Sequence, residues 1–305
     1  MQTGTAAKME MRIQKTRNSD RLLETLLYIW AAIVLVAVLY PLYFIVIASF
    51  SDPSAVGGGH VWLFPKGFTL DGYKELFKHS NIWIGYRNTI FYTAVGTAIG
   101  LAVNLSAAYA LSRKDLVGRK FLSLFFIFTM FFNGGLVPTF LTIRDFHLYD
   151  TFWVMVLPFS VAVFDIIVAR TFFQTGIPPE LWEAAQMDGC GNLRFYVQMV
   201  LPLSKAIISV LALWFAVGQW NSYFNGLIYL QNPDLYPLQL VLRDILVTNQ
   251  MQNALGTGEA AQIALRLANL LRYSVIIVAT LPIMCLYPFV QKHFNKGVMI
   301  GAVKS

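Results

Sequence analysis

The chain has 305 residues, of which 57% are hydrophobic and only 13% charged, and its formal net charge is +7. This apolar fraction is above that of ordinary soluble domains, so the composition excludes a purely soluble globular protein. A basic net charge can indicate either a nucleic-acid partner or the topology of a membrane protein, and the distribution of the charges decides between the two.

Six stretches of the chain carry almost no charge over roughly 20 residues, which is the length that a helix needs to cross a bilayer. They are 26–49, 88–112, 121–143, 151–173, 203–226 and 271–291. The sequence therefore predicts an all-α polytopic membrane protein with six transmembrane helices. We divide it into an N-terminal tail (1–21), a transmembrane domain (22–296) and a C-terminal tail (297–305).

Lysine and arginine predict the orientation of these spans. With the N-terminus inside, the cytoplasmic segments hold 15 of the 23 Lys and Arg residues, in agreement with the positive-inside rule. Both termini are then cytoplasmic. The basic net charge is explained by the orientation of the spans, and a nucleic-acid partner is the weaker interpretation. Cys190 and the inner half of the last span, with Cys285, also fall on this side, where a structural disulfide is not expected.

The outer loop 50–87 contains FTLDGYKELF, which predicts a short surface helix capped by Thr69 or Asp71. The second span then carries small or polar residues at every fourth position of one face, namely Gly96, Gly100, Asn104 and Ala108. Small residues at this spacing let two helices approach closely, so the face predicts helix packing. Asn104 could instead face a transport pathway.

Two features of the third and fourth spans point to the interior of a helix bundle. The phrase FFNGGLVPTF, which contains Asn133, interrupts the third span, and broken helices are tolerated in membranes where the freed backbone is buried or lines a cavity. Asp165 is an ionisable residue within the fourth span. Such a residue is a candidate for the substrate pathway, although a hydrogen bond or ion pair between helices would explain it equally well.

The polar segment 174–202 separates two long apolar runs. Pro178 and Pro179 suit the first turn of a helix, and Glu180 lies beside its positive end. The residues after them predict a helix over 180–187, ended by Asp188-Gly189. Asn192 is the predicted N-cap of a second helix that runs towards Pro202. Two short helices joined by a glycine elbow form a rigid projection suited to a groove in another protein.

The outer end of the fifth span, GQWNSYFN, combines amides with aromatic side chains. Sugar rings have apolar CH faces and many hydroxyl groups, and this combination can bind both. The candidates for the substrate pathway here are Gln219, Trp220, Asn221 and Tyr223. Trp and Tyr are also common at membrane interfaces without any ligand.

The sequence contains no recognisable catalytic or metal-binding motif. The nearest match to a phosphate-binding loop, GVMIGAVKS, lacks the glycine before the lysine and follows no strand. The four histidines are dispersed, and no Ser or Cys nucleophile has a recognisable base. An intramembrane enzyme is therefore disfavoured. A proton-coupled secondary transporter is a third hypothesis, but it predicts several buried acids and an internal repeat, which are not found.

The phrase EAAQMDG, separated from Pro202 by twelve residues, resembles the coupling loop of permease subunits of type I ATP-binding-cassette (ABC) importers. The resemblance extends from the first span to the tail and implies their MetI-like fold. It implies an ATPase-coupling role for the residues that match the motif, namely Glu180, Glu183, Ala184, Ala185, Asp188, Gly189 and Pro202. Cys190 departs from the usual alanine, a small change.

The resemblance also implies partners. These are a second permease subunit forming a heterodimer, two cytoplasmic ATPases that bind the ATP and Mg²⁺, and an extracytoplasmic solute-binding protein, all at a bacterial inner membrane. The C-terminal tail resembles that of maltose-class permeases, where it enters the ATPase interface, so Gly297, Gly301 and Lys304 are further coupling candidates. FFNGGLVPTF and YPLQLVLRDIL resemble permeases for aldouronate and alginate oligosaccharides, which implies an acidic oligosaccharide substrate. A neutral oligosaccharide is the alternative.

Overall fold

The computed structural model describes residues 3–255 and 271–285, and all regular secondary structure in these two ranges is helical. The coupling candidates Gly297, Gly301 and Lys304 lie outside the described residues. The helices are α1 Thr3–Ser49, α2 Pro53–Gly57, α3 Asp71–Lys78, α4 Ser80–Ser112, α5 Arg119–Phe131, α6 Leu136–Asp145, α7 Val163–Gly176, α8 Pro179–Met187, α9 Asn192–Leu203, α10 Lys205–Trp220, α11 Tyr223–Tyr229, α12 Leu238–Leu255 and α13 Leu271–Cys285.

Two of these helices are long and apolar enough to cross a membrane without interruption, Leu23–Ser49 of α1 and the whole of α4. Two further pairs qualify if each bent pair is counted as one span. The helices α5 and α6 meet at 114°, and α9 and α10 meet at 84°. The short apolar helix α13 covers the described part of the predicted sixth span. Length and composition thus support two to four spans within the described ranges.

The predicted fourth span, 151–173, is not one continuous helix. A 3-10 turn covers Phe152–Met155, and α7 begins only at Val163. Pro158 lies between them, and it has no N–H to donate and restricts the residue before it. The apolar composition of this stretch predicted a span, and it did not reveal that the helical part begins only at Val163.

Asn104 on α4 holds the non-helical backbone that precedes α7. Its Nδ2 donates to the carbonyl of Ser160 at 2.6 Å, and its Oδ1 accepts from the N–H of Ala162 at 2.9 Å. The side chain is fully buried. Asn104 therefore pairs backbone groups that have no helical partner, and this geometry supports the packing interpretation of the residue over a pathway.

The small residues of α4 allow α10 to approach closely, as the sequence predicted. A Cβ added at Gly96 would lie 2.6 Å from the Nε2 of Gln219, and one at Gly100 would lie 2.7 Å from the ring of Phe215. Both distances are shorter than any ordinary contact. Ala108, further along the same face, is also fully buried. The α4–α10 contact therefore depends on glycine at two positions.

The interruption of the third span also agrees with the prediction. Gly135 has φ +87°, a conformation that favours glycine, and it precedes α6. The exposed side chain of Asn133 accepts the N–H of Gly135 at 2.8 Å, which pairs a backbone group freed by the break. Asn133 thus stabilises the bend between α5 and α6.

A glycine comparison tests the α4–α10 contact. Gly100→Ala should destabilise the protein by about 1–3 kcal/mol, because the added methyl group overpacks the ring of Phe215. Gly218→Ala on α10 is the matched control, since a Cβ there would meet no atom within 4 Å. We expect the thermal unfolding midpoint in detergent to fall for Gly100→Ala and not for Gly218→Ala. Equal midpoints would contradict the packing described here.

Candidate functional site

The segment 174–202 forms the elbow that the sequence predicted. Pro179 opens α8, and Asp188 follows its last residue. Gly189 has φ +72°, which any other residue adopts only with strain. The N–H groups of Gly189 and Cys190 then bond back to the carbonyls of Gln186 and Ala185 at 3.0 and 2.9 Å. These bonds satisfy the end of α8 and fix the direction of the chain into α9.

The second helix of the elbow differs from the prediction at its start. The N-cap position is Gly191, and Asn192 is the first helical residue, without a capping hydrogen bond from its side chain. The side chain and carbonyl of Asn192 instead lie 3.4 Å from the hydroxyl of Tyr109 on α4. The ring of Tyr109 also stacks on Tyr196 at 4.9 Å between centroids. Asn192 is thus part of the contact between α9 and α4.

Two features interrupt the regular geometry of α9 and its passage into α10. Its middle, Tyr196–Val200, is π-helical, and the helix ends beside Pro202 before the 84° turn into α10. Proline removes one backbone hydrogen bond and kinks a helix. Pro202 is exposed, and its place in the motif is therefore explained by the bend that returns the chain to the bundle.

The elbow has a buried face and an exposed face. Ala185 is buried, and Trp182 packs edge-on against Phe195 with their ring centroids 5.0 Å apart. The exposed face carries the other residues of the motif on α8 and its end, namely Glu180, Glu183, Ala184, Asp188 and Gly189. The two adjacent alanines therefore differ: Ala184 is accessible to a partner, and Ala185 packs the elbow onto the bundle.

An arginine at the end of α4 fastens the elbow to the bundle. The guanidinium carbon of Arg113 lies 3.9 Å from the centre of the Trp182 ring. Its Nε and Nη2 donate to the carboxylate of Asp115 at 3.0 and 3.1 Å. This hydrogen bond holds the pKa of Asp115 below its ordinary value. The side chain of Arg113 is only 16% exposed, so its contact with the ring is partly shielded from water.

A cleft of about 530 Å³ lies where this arginine meets the elbow. The charged residues that line it include Arg113, Arg119, Asp115 and Glu183, and residues between 173 and 179 complete the wall. Arg119 also donates to the carbonyl of Arg113 at 3.4 Å. Charges of both signs therefore surround the cleft, with Glu183 on the exposed face of α8. Arg113 and Trp182 are far apart in the sequence, and no local pattern indicated their contact.

The substrate-pathway candidates at the end of α10 fall into a buried pair and an exposed pair. Gln219 and Trp220 are buried, at 7% and 4% exposure. Gln219 packs against Gly96, and the indole N–H of Trp220 donates to the carbonyl of Ala279 at 2.9 Å. Asn221 is exposed, but its Nδ2 donates to the carbonyl of Val217 at 2.9 Å. Tyr223 is 42% exposed, and it lies at the start of α11.

Asp165 lies in the first turn of α7 and is only 7% exposed. The N-terminal end of a helix carries partial positive charge, which favours a carboxylate at this position. Among the described residues its carboxylate has no hydrogen bond or ion pair. The interhelical pairing considered from the sequence is therefore not seen in this part of the chain, and Asp165 stays a pathway candidate.

Comparison with known proteins places these features in a family. The model of the family described as "Binding-protein-dependent transport system inner membrane component" matches residues 96–300. The chain is 38% identical over 264 residues to Protein LplC of Bacillus subtilis (strain 168), covering 87% of this chain and 88% of that protein. It is 36% identical over 289 residues to the polygalacturonan/rhamnogalacturonan transport system permease protein YtcP of the same organism, covering 93% and 99%.

The fold is similar to that of a solved structure. This is one chain of the crystal structure of a bacterial ABC transporter involved in the import of the acidic polysaccharide alginate. The TM-score is 0.81 at 31% sequence identity, and the match covers 90% of this chain and 98% of the other. The likeness extends over nearly the whole chain.

A double-mutant cycle tests the contact between Arg113 and Trp182. Arg113→Gln and Trp182→Leu should each lower the free energy of unfolding. Their combined effect should be smaller than the sum by about 1 kcal/mol, the interaction energy expected for a partly shielded cation over an indole. Arg144→Gln is the control, because Arg144 and Asp145 form an exposed pair with 59% and 71% of their side chains accessible. Strict additivity of the two substitutions would contradict the assigned contact.

Proposed function

The chain belongs to the family of binding-protein-dependent transport system inner membrane components, and from this we propose that it is one of two permease subunits in an ATP-driven importer. The observation that carries the proposal is the rigid elbow at 174–202, whose exposed face presents Glu180, Glu183 and Ala184. In the proposed assembly this face docks on a separate ATPase subunit, which binds the ATP and Mg²⁺. A solute-binding protein delivers the substrate from outside.

We propose an acidic oligosaccharide as the substrate. Two similarities support it, the permease named for polygalacturonan and rhamnogalacturonan and the transporter of alginate, because all of these polymers contain uronic acids. The exposed residues Asn221 and Tyr223 offer an amide and an aromatic face near the end of α10. Gln219 and Trp220 would contribute only if the bundle rearranged, since both are buried here.

Coupling of the ATPase to the spans would follow the contacts of the elbow. Closure of the ATPases displaces α8, and the Arg113–Trp182 contact passes that displacement to the inner end of α4. The close packing of α4 against α10 at Gly96 and Gly100 then moves the two helices together. Rigid-body motion of packed helices is a common form of transport switching. The tail residues Gly297, Gly301 and Lys304 would add a second contact with the ATPases.

Uptake by the reconstituted importer tests this function. The permease pair, its ATPases and its binding protein are placed in proteoliposomes with ATP inside. We expect uptake of labelled oligogalacturonate that requires both ATP and the binding protein. Maltodextrin of the same length is the matched neutral substrate, and uptake of maltodextrin alone would replace the acidic assignment by the neutral one. Uptake driven by a proton gradient without ATP would contradict the importer itself.

The coupling role of Glu183 has its own test. Glu183 is exposed in the isolated subunit and is expected to pair with a basic residue of the ATPase. Losing one partner of an ion pair that becomes buried costs roughly 3–5 kcal/mol. Glu183→Ala should therefore abolish substrate-stimulated ATP hydrolysis while the protein stays in the membrane. Glu24→Gln, at an exposed acid of α1, should keep the stimulation. Normal stimulation in Glu183→Ala would remove Glu183 from the coupling site.

A further inference from the structure

A second cleft lies between the start of α11 and one face of α12. It has a volume of about 480 Å³ and is lined by Tyr223, Gln239, Leu242, Arg243, Leu246 and Val247. We call it the outer cleft, because the positive-inside rule places this part of the chain outside the membrane. Gln239, Arg243 and Leu246 are spaced by four and three residues and therefore share one face of α12.

The walls of the outer cleft are held rigidly. A Cβ added at Gly226 of α11 would lie 2.9 Å from the ring of Pro237, so the two helices meet in close contact. On the other side of α12, Leu238 and Val241 are buried in a cluster with Leu271 and Val275 of α13. The orientation of α12 is thus fixed by its buried face, and the face with Arg243 is left to the cleft.

Three polar side chains converge on this cleft with unused hydrogen-bonding groups. In the described ranges, the hydroxyl of Tyr223 and the amide of Gln239 form no hydrogen bond. Within the described part of the chain, the one ion pair of Arg243 is with its neighbour Asp244, at 3.5 Å, and the two side chains are 43% and 47% exposed. An exposed pair of this kind is weak, and it leaves most of the five guanidinium N–H donors free.

Nearby polar groups at the same end of the bundle are satisfied within the protein. Asn88 donates to the carbonyls of Asp234 and Tyr236 at 2.7 and 3.1 Å. The hydroxyl of Tyr236 donates to the carbonyl of Gln231 at 3.3 Å. The free donors of the outer cleft are therefore a local feature of its lining.

We propose that the outer cleft is a binding subsite for one uronic acid residue of the transported oligosaccharide. The proposal rests on the acidic substrate argued above. The planar guanidinium of Arg243 matches a carboxylate and can bind both of its oxygens. The ring of Tyr223 packs on the apolar face of the sugar, and Gln239 bonds its hydroxyl groups. Leu246 and Val247 supply an apolar wall.

The charge balance of the cleft fits a transient contact. Asp244 lies beside Arg243 and repels the same carboxylate, so the net attraction of the subsite is small. A transporter needs this property, because a substrate that is bound too tightly at the mouth is not released inwards. Arg243 would thus favour charged over neutral sugars while binding the charged sugar only weakly.

Binding measured without the solute-binding protein tests the subsite. The purified permease pair with its ATPases is titrated with trigalacturonate and with its fully methyl-esterified form, by ligand-observed NMR. Arg243→Gln should weaken binding of the acid about tenfold, as expected when one charge-assisted hydrogen bond is lost. Binding of the neutral ester should be unchanged. Arg243→Lys should keep part of the effect, and Arg144→Gln, an exposed arginine of α6, should bind as wild type.

Each other outcome decides against the subsite. Equal weakening of acid and ester by Arg243→Gln would mean that the variant disturbs the fold or another contact, and would overturn the carboxylate assignment. Unchanged binding of the acid would do the same, as would failure of the wild-type assembly to bind it. Tyr223→Ala should weaken both ligands, since stacking does not depend on charge. If the wild-type importer transports only neutral sugars, the proposed acidic function fails first, and this subsite fails with it.

Discussion

The helix α4 packs against both α10 and α12 and ends at the elbow, and its packing is the constraint on which the rest of the described structure depends. In its first third, the side chain of Thr89 accepts the N–H of Leu238 at 2.7 Å and so positions α12. In its middle, Gly96 and Gly100 admit α10. Directly after its last residue, Arg113 holds the elbow through Trp182. The elbow, α10 and the start of α12 are therefore all contacted by one continuous helix or by the residue that follows it.

The lipid environment explains why polar side chains stand at the breaks of this bundle. A backbone group without a partner is costly in hydrocarbon, so each interruption of a helix has to be paired inside the protein. Asn133 does this at the bend between α5 and α6, and Asn104 does it for the backbone of residues 160–162. These amides are structural, whereas Asp165 has no such partner in the described residues. The contrast separates amides that pair the backbone at helix breaks from a buried carboxylate that does not.

Local chemistry explains what the sequence could predict. The two prolines before α8 and the Asp-Gly pair after it each act on their own backbone, so the elbow could be derived without knowing any contact. The small residues of α4 likewise follow the helical period. The contact of Arg113 with Trp182 joins two segments that are distant in the sequence, and no periodic pattern carries such information. Trp220 shows the same limit. An indole beside amide side chains suited a sugar ligand, but the indole N–H donates to the carbonyl of Ala279 on α13.

The broken start of α7 and the position of Asp165 are linked by one physical argument. If 151–173 were one continuous helix, Asp165 would lie in its second half, far from any free N–H group. Because the helix begins at Val163, the carboxylate instead stands in the first turn, where the partial positive charge of the helix end offsets part of its desolvation. An acidic sugar that passed this point would be repelled by an ionised carboxylate. In the proposed function, recognition of the sugar's charge is therefore better placed at the outer cleft, where Arg243 is accessible and the acid beside it, Asp244, is itself exposed to water.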